Sequence, residues 1–203
     1  MKQFIIVALC ALVLLPTGCG TNPIKPYQPA SPSVNERTAQ ESGVEVALDP
    51  FVENERTQKY FDINAVANGI AILHVSVTNR TTNQTFLVEK NDFQLVRSGA
   101  AGGLTGDGKK IERSTAAANA VAWTFSANML AGGMVSHSTE IQRNFTSKEM
   151  GNASLSPGES MEGFIYFTPV SHGEDWTRNT FVKINLTETR TQQVVEFNIP
   201  LSH

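Results

Sequence analysis

The run Gly69-Ile70-Ala71-Ile72-Leu73-His74-Val75-Ser76-Val77-Thr78-Asn79 decides the fold class. Ala71, Leu73, Val75 and Val77 fall on one side of an extended chain, and Ile72, His74 and Ser76 on the other. That is the two-residue period of a strand, not the 3.6-residue period of a helix. Asn79-Arg80-Thr81-Thr82-Asn83 then supplies a polar turn, and Thr85 to Val88 resumes the apolar pattern. Asn91-Asp92 marks a bend before Phe93-Gln94-Leu95-Val96, another short strand.

The pattern continues in both directions. Upstream, Val44, Val46 and Leu48 alternate with Glu45 and Ala47, and Asp49-Pro50 ends the run. Downstream, Ser156-Pro157-Gly158-Glu159 has Pro and Gly at the central positions of a type II turn. Strands are expected over Glu162 to Thr168, Thr180 to Thr187 and Val194 to Leu201. Seven or so short strands bounded by turn chemistry predict a mainly β chain, an antiparallel β-sandwich.

The middle departs from this style. Gly99, Gly102, Gly103, Gly106 and Gly108 crowd one loop, and Ser114 to Thr139 carries no formal charge and is rich in alanine. Ser114 is a candidate N-cap and Gly132-Gly133 a stop, with a second short helix from Ser138 to about Met150. The expectation is a helical insertion of about 40 residues, at about 109–150. Trp123, Phe125, Met129 and Met134 are among its large apolar side chains, either packed on the sandwich or forming a partner surface.

The chain has 203 residues, 40% of them hydrophobic and 17% charged, with a formal net charge of -3. That is enough apolar content for a core, and without a basic patch nucleic acid is not an expected partner. Residues 1–18 read as an export signal: Lys2 is the positive n-region and Phe4 to Leu15 an uncharged apolar stretch too short to span a bilayer. Residues 19–42 read as a tether, in which Pro23, Pro26, Pro29 and Pro32 recur at three-residue spacing with polyproline character. The folded domain is then expected over 43–203.

Leu14-Leu15-Pro16-Thr17-Gly18-Cys19 resembles a bacterial lipobox, with Pro16 standing where Leu is commonest. The resemblance implies cleavage before Cys19, lipidation of Cys19 including a palmitate-type acyl chain, and stable membrane anchoring. Gly20 after the cysteine implies sorting to the outer membrane, more readily on its periplasmic side. Asn79-Arg80-Thr81 with Asp92-Phe93-Gln94-Leu95, and Leu155-Ser156-Pro157-Gly158-Glu159 with Gly163 and Phe167, resemble the turn and strand motifs of immunoglobulin-like domains on bacterial lipoproteins. That likeness implies an immunoglobulin-like sandwich and carries no catalytic residue.

The chemistry-bearing residues are scattered. His74, His137, His172 and His203 lack the i,i+4 spacing of a helical metal site. His172 with Glu174 and Asp175 is the one cluster with cation-binding side chains, although such a group also suits a solvated turn. Glu159 and Glu162 are expected to face solvent beside a turn. Neither a G-x-S-x-G elbow nor an S-x-x-K motif occurs. The expectation is therefore a lipid-anchored, non-enzymatic envelope protein without metal or cofactor, binding or scaffolding another envelope protein. The alternative is a periplasmic ligand-binding or cell-wall hydrolytic lipoprotein using the His172 loop.

Overall fold

The computed structural model describes residues 37–97, 109–111, 135–167 and 176–202. Ten strands and two α-helices lie among them. The strands are β1 (Arg37–Glu41), β2 (Val44–Pro50), β3 (Ala71–Asn79), β4 (Phe86–Val88), β5 (Phe93–Arg97), β6 (Lys109–Ile111), β7 (Ala153–Leu155), β8 (Ser160–Phe167), β9 (Thr180–Glu188) and β10 (Val194–Pro200). The helices are α1 (Asn54–Phe61) and α2 (Val135–Lys148).

All of the strand pairings are antiparallel, and they build two sheets. The first runs β1-β2-β3-β8 and the second β6-β5-β9-β4-β7, with β10 on the other edge of β9. The alternation read from Gly69 to Asn79 is what brings the sheets together. Leu73, Val75 and Val77 of β3 join Val44, Val46 and Leu48 of β2 in one buried cluster with Val182, Ile184 and Leu186 of β9 and Val195, Phe197 and Ile199 of β10. Each large aliphatic side chain buried there contributes about 1.5–3 kcal/mol. The result is a mainly β, sandwich-like arrangement. Trp176, just before β9, is fully buried in the same cluster.

One end of the sandwich is closed around Asn79, and the closure explains why the two separated motifs belong together. The Asn79 side chain is buried; its amide donates to the carbonyls of Gln84 (2.7 Å) and Leu155 (2.9 Å). Its side-chain oxygen accepts from the Thr81 backbone N–H and hydroxyl at 3.0 and 2.6 Å. Its backbone N–H donates to Glu159 and its carbonyl accepts from Gly158, at 2.9 and 2.8 Å. Gly158 has φ +80°, the left-handed conformation that the third residue of a type II turn requires. Gly163, later in the same motif, is there for space: a Cβ would lie 2.6 Å from Met150 Cα. That close approach lets the Met150 N–H reach the Phe164 carbonyl at 2.9 Å and cover the free edge of β8.

Three expectations are corrected. The tether was expected to reach residue 42, but Arg37–Glu41 form β1, paired with β2 from Arg37↔Leu48 to Glu41↔Val44. Apart from Ala39, which packs against the core, this strand is polar and is held by its main-chain ladder, so it has no hydrophobic alternation to reveal it; polar edge strands also resist edge-to-edge pairing. The helical insertion expected at about 109–150 opens with a strand, because Lys109–Ile111 pair with Arg97–Leu95. Its second helix begins at Val135 instead of Ser138. The segment expected to form its first helix, with Trp123, Phe125, Met129 and Met134, lies outside the described residues. No sequence pattern marks an element between Pro50 and Gly69, where α1 forms.

Helix α1 is short and has few internal resources. It starts at Glu53 without a side-chain cap and stops where Asp62 turns left-handed, φ 60°. Packing maintains it, as short helices require. Its Thr57 and Phe61 are buried on the outer face of the first sheet, where Ile72, Phe164 and Tyr166 meet Ile141 and Phe145 of α2. Phe61 lies 5.0 Å from Phe164 and 4.8 Å from Phe145, between ring centroids. Such ring pairs add about 0.5–1.5 kcal/mol each beyond their area. Ile72 and Tyr166 thus belong to a second core, under a two-helix cap.

Candidate functional site

Beneath that cap β2, β3 and β8 bring Asp49, His74 and Phe164 side by side, because Asp49 is the register partner of His74 and His74 of Phe164. All three side chains point to the outer face, opposite Leu48, Leu73 and Ile165. Arg56 of α1 reaches across to both oxygens of Asp49, one contact at 2.9 Å. Its guanidinium stacks 3.8 Å from the Phe51 ring centroid. Arg56 supplies the planar fork that a buried carboxylate needs.

His74 is buried beside this pair, its ring 4.9 Å from Phe164 and its Nε2 3.8 Å from Glu162 Oε2. Burial holds the imidazole below its ordinary pKa, against the opposing pull of Glu162 and Asp49, and Arg56 adds to the lowering. At neutral pH the ring is uncharged. Glu162 stands half in water at 56% side-chain exposure, where the sheet's outer face leaves the shelter of the helices.

The helices are tied to each other through one carbonyl. The Tyr60 oxygen, in the last turn of α1, accepts from Asn144 Nδ2 at 2.9 Å and from Lys148 Nζ. Lys148 Nζ also lies 4.9 Å from the Phe61 ring centroid, and burial lowers its pKa to about 8. The Tyr166 hydroxyl donates to the Phe145 carbonyl at 2.9 Å, and burial pushes that phenol well above its ordinary range. Lys90 meets Glu149 just after α2 at 3.3 Å.

The cap thus combines a buried ion pair, a neutral histidine and a half-buried lysine. Of these only His74 was singled out in the sequence, as a residue opposite the apolar face. Asp49 was read as a strand end because Pro50 follows it, and Arg56 and Lys148 stand in stretches with no motif. Glu162 faces solvent as expected, and exposed Glu159 accepts the Ser156 N–H at 2.7 Å. Cys19, Trp123, Phe125, Met129, Met134, His172, Glu174, Asp175 and His203 lie outside the described residues, and His137 is described only as backbone in α2. No group of three or more His, Cys, Asp or Glu residues placed to hold a metal ion occurs among the described residues.

No protein-family profile matches the chain, and no curated protein matches it. Among solved structures it is similar to a crystal structure of a candidate lipoprotein from Bacillus subtilis, at 14% identity and a TM-score of 0.40. The match covers 81% of this chain and 38% of that one, so the chain spans well under half the length of its neighbour. A likeness of that size fixes neither a shared fold nor a shared role.

Proposed function

We propose that the chain is a lipid-anchored, non-enzymatic lipoprotein of the bacterial envelope, held in the outer membrane through Cys19 and facing the periplasm. Its sandwich serves as a protein-binding or scaffolding module for another envelope protein. The observation that carries this reading is the order of parts along the sequence. An apolar export signal ends at Gly18, within Leu15-Pro16-Thr17-Gly18-Cys19, a proline-spaced stretch follows, and the first described strand begins at Arg37.

An immunoglobulin-like arrangement is the finer reading of the sandwich. In its support, β2-β3-β8 lie together in one sheet and β5-β9-β10 in the other. The chain crosses between sheets after β3, after β7 and after β8, as a Greek-key sandwich does. The role of such a module is carried by its surface and loops, not by the fold itself.

The experiment has two arms. Cys19→Ser is expected to leave an unprocessed precursor that takes up no palmitate analogue; normal processing and release of that variant would remove the anchor. In vivo crosslinking of the intact lipoprotein is expected to recover an envelope protein. Joint alanine replacement of His172, Glu174 and Asp175 is expected to leave that recovery unchanged. If the replacement abolishes function, the ligand-binding or hydrolytic alternative takes its place.

A further inference from the structure

We propose that Lys148 is a reactive-amine site, a lysine that accepts activated acyl groups at neutral pH in preference to the ion-paired lysines of the same chain. The described lysines divide by their surroundings. Lys90 holds Glu149 at 3.3 Å and Lys183 holds Glu196 at 2.7 Å, so both ammonium groups have a carboxylate to keep them charged. Lys59, its Nζ 4.8 Å from the Tyr60 ring centroid, and Lys148 have no carboxylate within ion-pair distance among the described residues; Lys59 is exposed, and of the two only Lys148 is withdrawn from water. Its Nζ is set against the Phe61 ring and the Tyr60 carbonyl, half-buried at the junction of α1 and α2. A lysine withdrawn from water without a counter-ion yields its proton readily, the situation that turns buried lysines into nucleophiles.

The Tyr60 carbonyl does not block this. An ammonium donates to it, and so does a neutral amine, which keeps two N–H groups and a free lone pair. The carbonyl therefore positions the nitrogen in either state; it and the Phe61 ring face favour the ammonium, but burial outweighs them and brings its pKa down to about 8. In the reaction the Nζ lone pair attacks the acyl carbon of an activated ester. The ester's leaving group departs with its bonding electrons, Nζ gives a proton to water, and an amide remains. At pH 7.4 the free-amine fraction is on the order of a hundredfold above that of an ordinary lysine. Nucleophilicity falls with basicity, as it does for thiolates, which reduces the advantage to about tenfold.

The test uses the full-length protein in detergent, treated with a limiting amount of N-hydroxysuccinimidyl acetate at pH values from about 6.5 to about 10. Mass spectrometry then reads the acetylation rate of each lysine. The expected result is labelling of Lys148 about tenfold faster than Lys90 and Lys183 near pH 7.5, with a rate that levels above about pH 8.5. In concentrated urea the advantage should vanish. Labelling no faster than that of Lys183, or a rate still climbing at pH 10, overturns the proposal. An advantage that persists in urea does so too, because it would then belong to the local sequence and not to the packing of α1 against α2.

Discussion

Strand β3 carries two polar centres five residues apart, and they solve the problem of burying polar atoms in opposite ways. At Asn79 the buried group is neutral, and both its side-chain atoms and its backbone atoms are engaged by carbonyls, N–H groups and a hydroxyl from two neighbouring turns. At His74 the surroundings are charged: Asp49 and Arg56 pair beneath a helix, and Glu162 closes the open side. The first centre has nothing to titrate and locks loops to a sheet. The second answers to pH and to the seating of a short helix. A buried neutral network specifies geometry, whereas a buried charged one also couples geometry to protonation.

The largest effect is expected at the neutral centre. Asn79→Ala leaves the buried Leu155 carbonyl without this donor and the Thr81 N–H without this acceptor, while the Gln84 carbonyl keeps only the Thr81 hydroxyl at 3.1 Å. Two unsatisfied groups at about 1–3 kcal/mol each, with a weakened third, predict a loss of about 3–4 kcal/mol. Urea denaturation of the chain from Gly20 onward measures it. A loss below about 1 kcal/mol, the size of an ordinary surface change, would mean that the turns hold together without Asn79.

This contrast also explains what could be read in advance. The Asn79 end was legible because its work is done by residue types with few alternative uses: Asn at a strand end, Pro-Gly in a turn, Gly where a backbone crosses closely. The inward face of β3 was legible because burial on one side enforces a period of two. The cap was not. Helix α1 is eight residues long, its sequence is polar except at Tyr60 and Phe61, and its stability comes from the ring of Phe51, just after β2, and from rings of β8 and α2. Its anchor, Arg56 on Asp49, joins positions seven residues apart across a strand end and a helix, and no periodicity marks that spacing. Strand β1 escaped for the related reason that main-chain pairing leaves no side-chain pattern.

The two regions are joined along β8, and Gly163 is the place to strain the joint. Its neighbours at 2.6 and 2.9 Å are Met150 backbone atoms, which cannot swing aside as a side-chain tip could. Gly163→Ala should therefore push the segment after α2 off the edge of β8, at about 2–3 kcal/mol. Hydrogen exchange is expected to speed up at Met150, whose N–H bonds to Phe164, while the amide of Asn79 keeps its protection. Equal loss of protection at both would show that the two centres open as one unit.

A smaller effect is expected from the ion pair. Removing one member of a buried pair costs more than the pair contributes, because the other charge remains in place. Asp49→Asn and Arg56→Met should each destabilise the cap, and the double substitution should cost less than their sum. The coupling in a double-mutant cycle is expected near 2 kcal/mol, within the range for residues sharing one network. A coupling near zero would reduce Arg56 to its stacking on Phe51.

The smallest effect, and the sharpest discriminator between the two centres, is a slope with pH. Because the folded protein holds His74 below its ordinary pKa of 6.5, the unfolded chain takes up the proton first as pH falls. The unfolded state then binds more protons than the native state, so stability declines as pH drops below about 6.5 and levels off once the folded imidazole is also protonated. Measured between about pH 7 and 5.5, above the range of the carboxylates, His74→Gln should flatten this decline, whereas Asn79→Ala should shift the curve down with its slope intact. Glu162→Gln makes the argument stricter. It removes the carboxylate that favours the charged ring, so the folded pKa should fall further and the acid loss should continue to lower pH. If Glu162→Gln leaves the course of the acid loss unchanged while His74→Gln flattens it, the 3.8 Å contact with Glu162 contributes nothing, and burial with the charges of Asp49 and Arg56 sets the histidine.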